Sequence, residues 1–168
     1  MTDFGSGTAL DASNSRNPKI LQLHASFEAF GVVFDYLSKI DPFSRFQTGH
    51  FASIIRMQLK RGHHLVAMDG RDAVGYVGWL LTTRELGDLW QNDQGPLKAV
   101  GSEASDAAAL TVVAARDNAV LKRLIRGARS LNPGKRVYFK RQYSGEGRLT
   151  KKSAVKNMTS KPATLEPG

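Results

Sequence analysis

At 168 residues the chain is long enough for one domain with a substantial core, and its 41% apolar content excludes wholesale disorder. The absence of cysteine excludes disulfides and thiolate metal sites, and no apolar run approaches the roughly 20 residues a membrane-spanning helix requires. The net charge of +9 is unevenly placed: residues 1–115 carry 10 basic and 12 acidic side chains, residues 116–168 carry 14 and 3. That asymmetry points to an acidic partner for the last third, whether nucleic acid, an anionic membrane or an acidic protein. The polar start, Met1-Thr2-Asp3, lacks the layout of a secretory signal, so a cytoplasmic protein is expected.

In chain order, residues 1–19 are rich in Ser, Thr, Gly, Asp and Asn without hydrophobic period and read as a flexible arm. Residues 20–150 read as a single domain, and 151–168, with scattered lysines and two prolines, as a basic tail. Phe27, Phe30, Phe34 and Leu37 recur at helical spacing within 25–40, and Asp41-Pro42 stops that helix. Thr48 is the expected N-cap of a second helix over 49–60, with Phe51, Ile54, Ile55 and Leu59 on its apolar face and Gly62 at its end. His64–Met68 and Ala73–Leu81 read as strands joined through Asp69-Gly70, a hairpin signal. Arg84–Gln91 reads as a short helix and Ala108–Ala115 as a buried strand. Asp117 or Asn118 caps a third long helix, reaching Ser130, whose stripe is Leu121, Leu124, Ile125 and Ala128. Arg136–Tyr143 is a final strand. This interleaving predicts an α/β (α+β) domain, a mixed sheet with helices on its faces.

Three stretches, in order, resemble the RTX toxin-activating lysine acyltransferases: Gly31–Leu37 leading into Asp41-Pro42-Phe43-Ser44-Arg45; the hairpin through Trp79 with the helix after it; and Val112–Asn118 with a basic helix following. The likeness spans about residues 25–143. It implies a GNAT-like fold and transfer of a fatty acyl group from acyl carrier protein to lysines of a protein acceptor. The donor would be the carrier's phosphopantetheine, with no resident cofactor, and a homodimer is the expected assembly. The family's loop histidine aligns with Ser44 and its supporting aspartate with Thr111. Neither replacement does the original work, because a hydroxyl neither takes a proton near neutral pH nor stabilises an imidazolium.

His50 is the substitute base to consider, since a helix N-terminus favours the neutral imidazole; the alternative is an exposed first-turn histidine. Ser44 as nucleophile would need a base that the sequence does not supply. His63 and His64 should point to opposite faces, and His24 should lie on the surface of the first helix. Phe43, Phe46, Phe51 and Met57 either line an acyl slot or belong to the core. Arg45, Arg116, Lys122, Arg123 and Arg126 suit a phosphate and the acidic surface of a carrier protein, or form a solvated face. No pair of histidines has a Glu or Asp at metal-ligand spacing, so no metal site is expected. Three functions therefore compete: an acyltransferase with altered chemistry, a non-catalytic carrier-, lipid- or protein-binding module, and a nucleic-acid binder. The last is disfavoured because no recognition motif accompanies the charge.

Overall fold

The computed structural model describes residues 17–141 and 151–156. Its frame is a six-stranded sheet in sequential order: β1 (Lys19–Leu21), β2 (His64–Asp69), β3 (Asp72–Thr82), β4 (Ala107–Ala115), β5 (Arg136–Arg141) and β6 (Lys151–Lys156). Every neighbouring pair is antiparallel except β4 and β5, which run parallel. That parallel step needs a crossover, and the helix α4 (Asn118–Ser130) supplies it.

Two findings correct the expected ends of the domain. Lys19 belongs to β1, so the arm is shorter than residues 1–19, and its residues 1–16 lie outside the described residues. Residues 151–156 form β6 along β5 rather than the start of a tail, because an outer ladder satisfies their backbone groups despite the lysine-rich sequence. Residues 157–168 of that tail, and Tyr143 of the expected last strand, also lie outside the described residues.

The helices divide between the sheet's faces. α1 (Phe27–Ser38) and α2 (Thr48–Arg61) enclose Val33, Leu37, Phe51, Ile55, Tyr76 and Val112 on one face, where α3 (Arg84–Gln91) also packs, over Tyr138. α4 buries Val120, Leu124 and Ala128 against Leu65, Val77 and Leu110 on the other. The expected α4 stripe is thus rotated: Val120 replaces Leu121, which is half-buried like Ile125. In α1 the buried residues are Ala29, Val33 and Leu37, while Phe27, expected in the core, is 89% exposed. Ser26 caps this helix by accepting the Ala29 N–H, and that fixes a phase in which Phe27 points outward. His24 precedes α1 rather than lying within it, and it is exposed. In α2, Thr48 is the first helical residue and Gln47 the cap position, so Thr48 is not the N-cap. Gly62 ends α2 in the left-handed region, φ 66°, as a glycine there should.

One buried amide ties α2 to the sheet. Gln58, 1% exposed, donates from Nε2 to Thr111 Oγ1 at 2.9 Å and accepts the Tyr76 hydroxyl at Oε1, also at 2.9 Å. Gly78 makes room for it, because a Cβ there would stand 2.1 Å from Gln58 Oε1. Below it, buried His64 accepts the Leu23 N–H at Nε2 (3.1 Å), and its Nδ1 lies 3.2 Å from the Gln58 carbonyl, so the ring is the neutral Nδ1–H tautomer.

Burial holds His64 below the ordinary histidine pKa, against a weaker opposing pull from its backbone hydrogen bonds, and burial does the same to His63. The unfolded chain therefore binds protons that the native state refuses, and stability falls as pH drops below about 6.5. Urea denaturation at pH 7.5 and pH 5 should show the loss, at up to about 1.4 kcal/mol per pH unit for each such histidine; His64→Gln should flatten it. Gly78→Ala should cost about 2 kcal/mol or more. The same change in a Gln58→Ser background should cost markedly less, which a double-mutant cycle measures.

Candidate active site

β4 carries the geometry that matters most. Against β3, Gly78 faces Val112 while Trp79 faces Leu110, so Thr111 is the extra residue of a β-bulge. The bulge sends both Thr111 and Val112 to the α1/α2 face, where Thr111 meets Gln58 and Val112 joins the core. On its other side β4 pairs with β5 from Ala107 only as far as Leu110. Beyond the bulge, residues 111–115 present an edge of N–H and C=O groups that no described strand covers. Tyr36 of α1 packs against the core cluster to which Val112 and Ala114 belong, and its buried hydroxyl has no hydrogen-bond partner among the described residues. Burial pushes its pKa up to about 12, with Arg116 acting in the opposite direction.

The chain passes from this open edge into α4. Asp117 caps the helix, accepting the Val120 N–H at 2.9 Å, and this bond, with help from Arg116 and the Ala119 N–H, holds the carboxyl below its usual pKa range. Arg116, expected to be available to a phosphate, is instead held by Asp69 at 2.9 Å and Asp117 at 3.3 Å. The reason is local: the hairpin turn and the cap set two carboxylates beside one guanidinium. Along the rest of α4, Lys122 and Arg126 are exposed, and half-buried Arg123 donates to the Asn17 side chain.

The Ser44 loop is a short 3-10 turn, Phe43–Arg45, after a cis Asp41–Pro42 peptide. Ser44 Oγ donates to Asp41 Oδ1 at 2.6 Å and Arg45 donates to Oδ2 at 2.8 Å. The serine hydroxyl, foremost, and the arginine lower the Asp41 pKa, so the carboxylate stays ionised. Ser44 is thus exposed and bound to a carboxylate, with no imidazole among its described hydrogen-bond partners. His50 is exposed in the first turn of α2, and no described contact joins it to Ser44 or Thr111. Phe43, Phe46 and Phe51 pack together with ring centroids 5.5–5.7 Å apart. Phe43 and Phe51 are buried, while Phe46 remains 45% exposed. Among the described residues no group of three His, Cys, Asp or Glu could hold a metal, and no helix is long and apolar enough to cross a membrane.

Sequence reasoning missed Gln58, Tyr76 and Tyr36. A signal existed for Gln58: it stands three residues after Ile55 on a helix face that is otherwise apolar, where a polar side chain must find buried partners.

No protein-family model and no curated protein matches the chain. Several solved structures match in shape. An acetyltransferase from Corynebacterium glutamicum, described as histone acetyltransferase HPA2 and related acetyltransferase, is 16% identical at a TM-score of 0.51; the match covers 88% of this chain and 99% of that one. A mosquito arylalkylamine N-acetyltransferase-like protein, 5b, is 12% identical at TM-score 0.51, covering 73% and 76%. The loading GNATL domain of CurA from Lyngbya majuscula is 11% identical at 0.51, covering 80% and 71%. Likeness at such identities defines the architecture: the chain has the GNAT acyltransferase fold.

Replacing Gln58 with Leu should cost about 2–4 kcal/mol, since the buried Tyr76 hydroxyl loses its partner and the Thr111 hydroxyl keeps only a 3.4 Å bond to the Gly78 carbonyl. Thr111→Val removes a single hydroxyl and should cost only about 1 kcal/mol. Urea midpoints of the two variants check this order, and a reversed order would contradict the network's polarity.

Proposed function

We propose that this chain is an acyltransferase of the toxin-activating lysine acyltransferase type, taking a fatty acyl group from a phosphopantetheine thioester on acyl carrier protein and passing it to lysines of a protein acceptor. The observation that carries the reading is the half-open β4. Phosphopantetheine has two amides in an extended chain, and an unpaired strand edge offers the complementary N–H and C=O groups, as in strand addition.

The α4 N-terminus favours a carrier protein over a free nucleotide donor. Its helix donors are engaged by Asp117 and its nearest guanidinium by two carboxylates, which leaves a poor cradle for a pyrophosphate. Lys122, Arg123 and Arg126 instead suit a broad acidic protein surface.

The chemistry differs from the family's histidine mechanism. With Ser44 and Thr111 at the two positions, the acceptor amine would lose its proton to solvent before attack. The neutral amine then forms the C–N bond, the C–S bond breaks, and the sulfur leaves as thiolate, while the amine nitrogen gives its second proton, through solvent, to that thiolate. Orientation of thioester and amine would supply the acceleration. A second reading, a non-catalytic acyl-carrier-binding module, is favoured by one observation: the Ser44 and Thr111 hydroxyls are both engaged in local hydrogen bonds.

Intact-protein mass spectrometry of purified chain with acyl carrier protein, acyl-coenzyme A and a lysine-containing acceptor separates these readings. Transfer from the carrier protein should exceed transfer from coenzyme A, and its rate should climb about tenfold per pH unit from 6.5 to 9, tracking the neutral fraction of a lysine near pKa 10.4. A plateau above pH 7 that disappears in His50→Ala would assign the base to His50. If neither acylated product nor acyl-enzyme forms, the enzymatic reading fails. The binding reading then requires that charge reversal of Lys122, Arg123 and Arg126 slow association with the carrier about tenfold or more.

A further inference from the structure

A second concavity lies at the other end of the sheet from the open half of β4. It measures about 440 Å³, between Arg61 at the end of α2, His63 just before β2, Leu81 near the end of β3, and the loop 99–102 that precedes β4. Nothing in the acyl-transfer reading uses it.

Its walls are fixed by the fold. The Val100 N–H bonds to the Leu81 carbonyl at 2.9 Å and anchors the loop to β3. The His63 backbone is held at both groups, its N–H to Gln58 O at 2.9 Å and its C=O by the Trp79 N–H at 3.0 Å. The imidazole stacks on the Trp79 indole, with centroids 6.0 Å apart and planes inclined by 20°. His63 therefore borders the cavity with its backbone fixed and its ring against Trp79.

The lining is one-sided in charge. Arg61 forms no ion pair among the described residues, and no carboxylate lines the cavity. The charged or titratable groups acting on His63 are Arg61 from α2 and His64 from β2. β3 contributes Trp79 and Leu81, and the loop contributes Ala99, Val100, Gly101 and Ser102, none of which titrates in this range. Burial, then Arg61 and His64, keep the ring neutral. Arg61, His63 and Ser102 thus line one cavity together with Leu81 and Val100.

We propose that this cavity binds a small organic oxyanion, a carboxylate or phosphate monoester on a short apolar body, with the charge on Arg61 and His63 and the body against Leu81 and Val100. The volume falls within the usual range for small-molecule sites, and a guanidinium fork matches either head group. An anion between the two bases offsets the repulsion from Arg61 and favours the imidazolium. Binding should therefore tighten as pH falls from 7.5 to 5.5.

The test is an NMR titration of the imidazole resonances of the full chain, with butanoate and phenyl phosphate as separate probes and chloride as control. Either organic anion should raise the His63 midpoint by about one pH unit, leaving the exposed His24 and His50 unmoved. Arg61→Gln, a change at an exposed position, should weaken binding about tenfold or more with the fold intact by circular dichroism. The probe that acts identifies the head group. No movement of His63 with either probe, equal movement of all histidines, or an undiminished response in Arg61→Gln would each overturn the proposal. These outcomes are independent of acyl transfer, because the readout is the histidine ring.

Discussion

The buried amide of Gln58 is the interaction around which this molecule is arranged. It reaches from α2 to Tyr76 on β3 and Thr111 on β4, while the backbone carbonyl of the same residue meets both His64 and the His63 N–H. A fully buried amide has two donors and an acceptor to satisfy, so its surroundings must be built to fit it. Gly78 provides the space, and the bulge at Thr111 lets its hydroxyl meet the amide while Val112, the next residue, also faces the α1/α2 core. The pairing of β4 with β5 ends one residue earlier, at Leu110. Helix placement, bulge and open edge therefore share one location.

That arrangement explains how a GNAT-type frame persists without the histidine and aspartate that the resemblance assigns to this loop and strand. Thr111 accepts the Gln58 amide, so its position is held by a structural bond. Ser44 bonds to Asp41, which Arg45 also grips, so the loop keeps its form without an imidazole. Features that depend on the backbone, above all the open half of β4, are untouched by either replacement. Both replacements change only what a side chain can do with a proton, and leave the backbone frame as it is.

Local pattern carried much of the architecture. The hairpin, α3 and α4 arise where the composition placed them, since Asp69-Gly70, Thr83 and Asp117 are turn and cap residues with short-range mechanisms. The misplacements have equally physical causes. Phe27 looked like core because periodicity alone does not set a helix's phase, which the Ser26 cap decided. β6 was invisible because lysine-rich edge strands have little hydrophobic alternation to read. Arg116 looked available because a sequence does not show that Asp69, 47 residues away, lies beside it.

By itself, the sequence determined the class of fold, the interleaved order of most elements, the concentration of positive charge after residue 115 and the presence of hydroxyls at positions 44 and 111. These follow from composition and from interactions a few residues apart. Only the tertiary structure decided that β5 leaves β4 after Leu110, that Gln58 joins three elements, that the Tyr36 hydroxyl is buried without a described partner, and that Arg61 and His63 border one cavity. Each of these depends on groups brought together across tens of residues, where the cost of burying polar atoms, rather than local propensity, selects the arrangement.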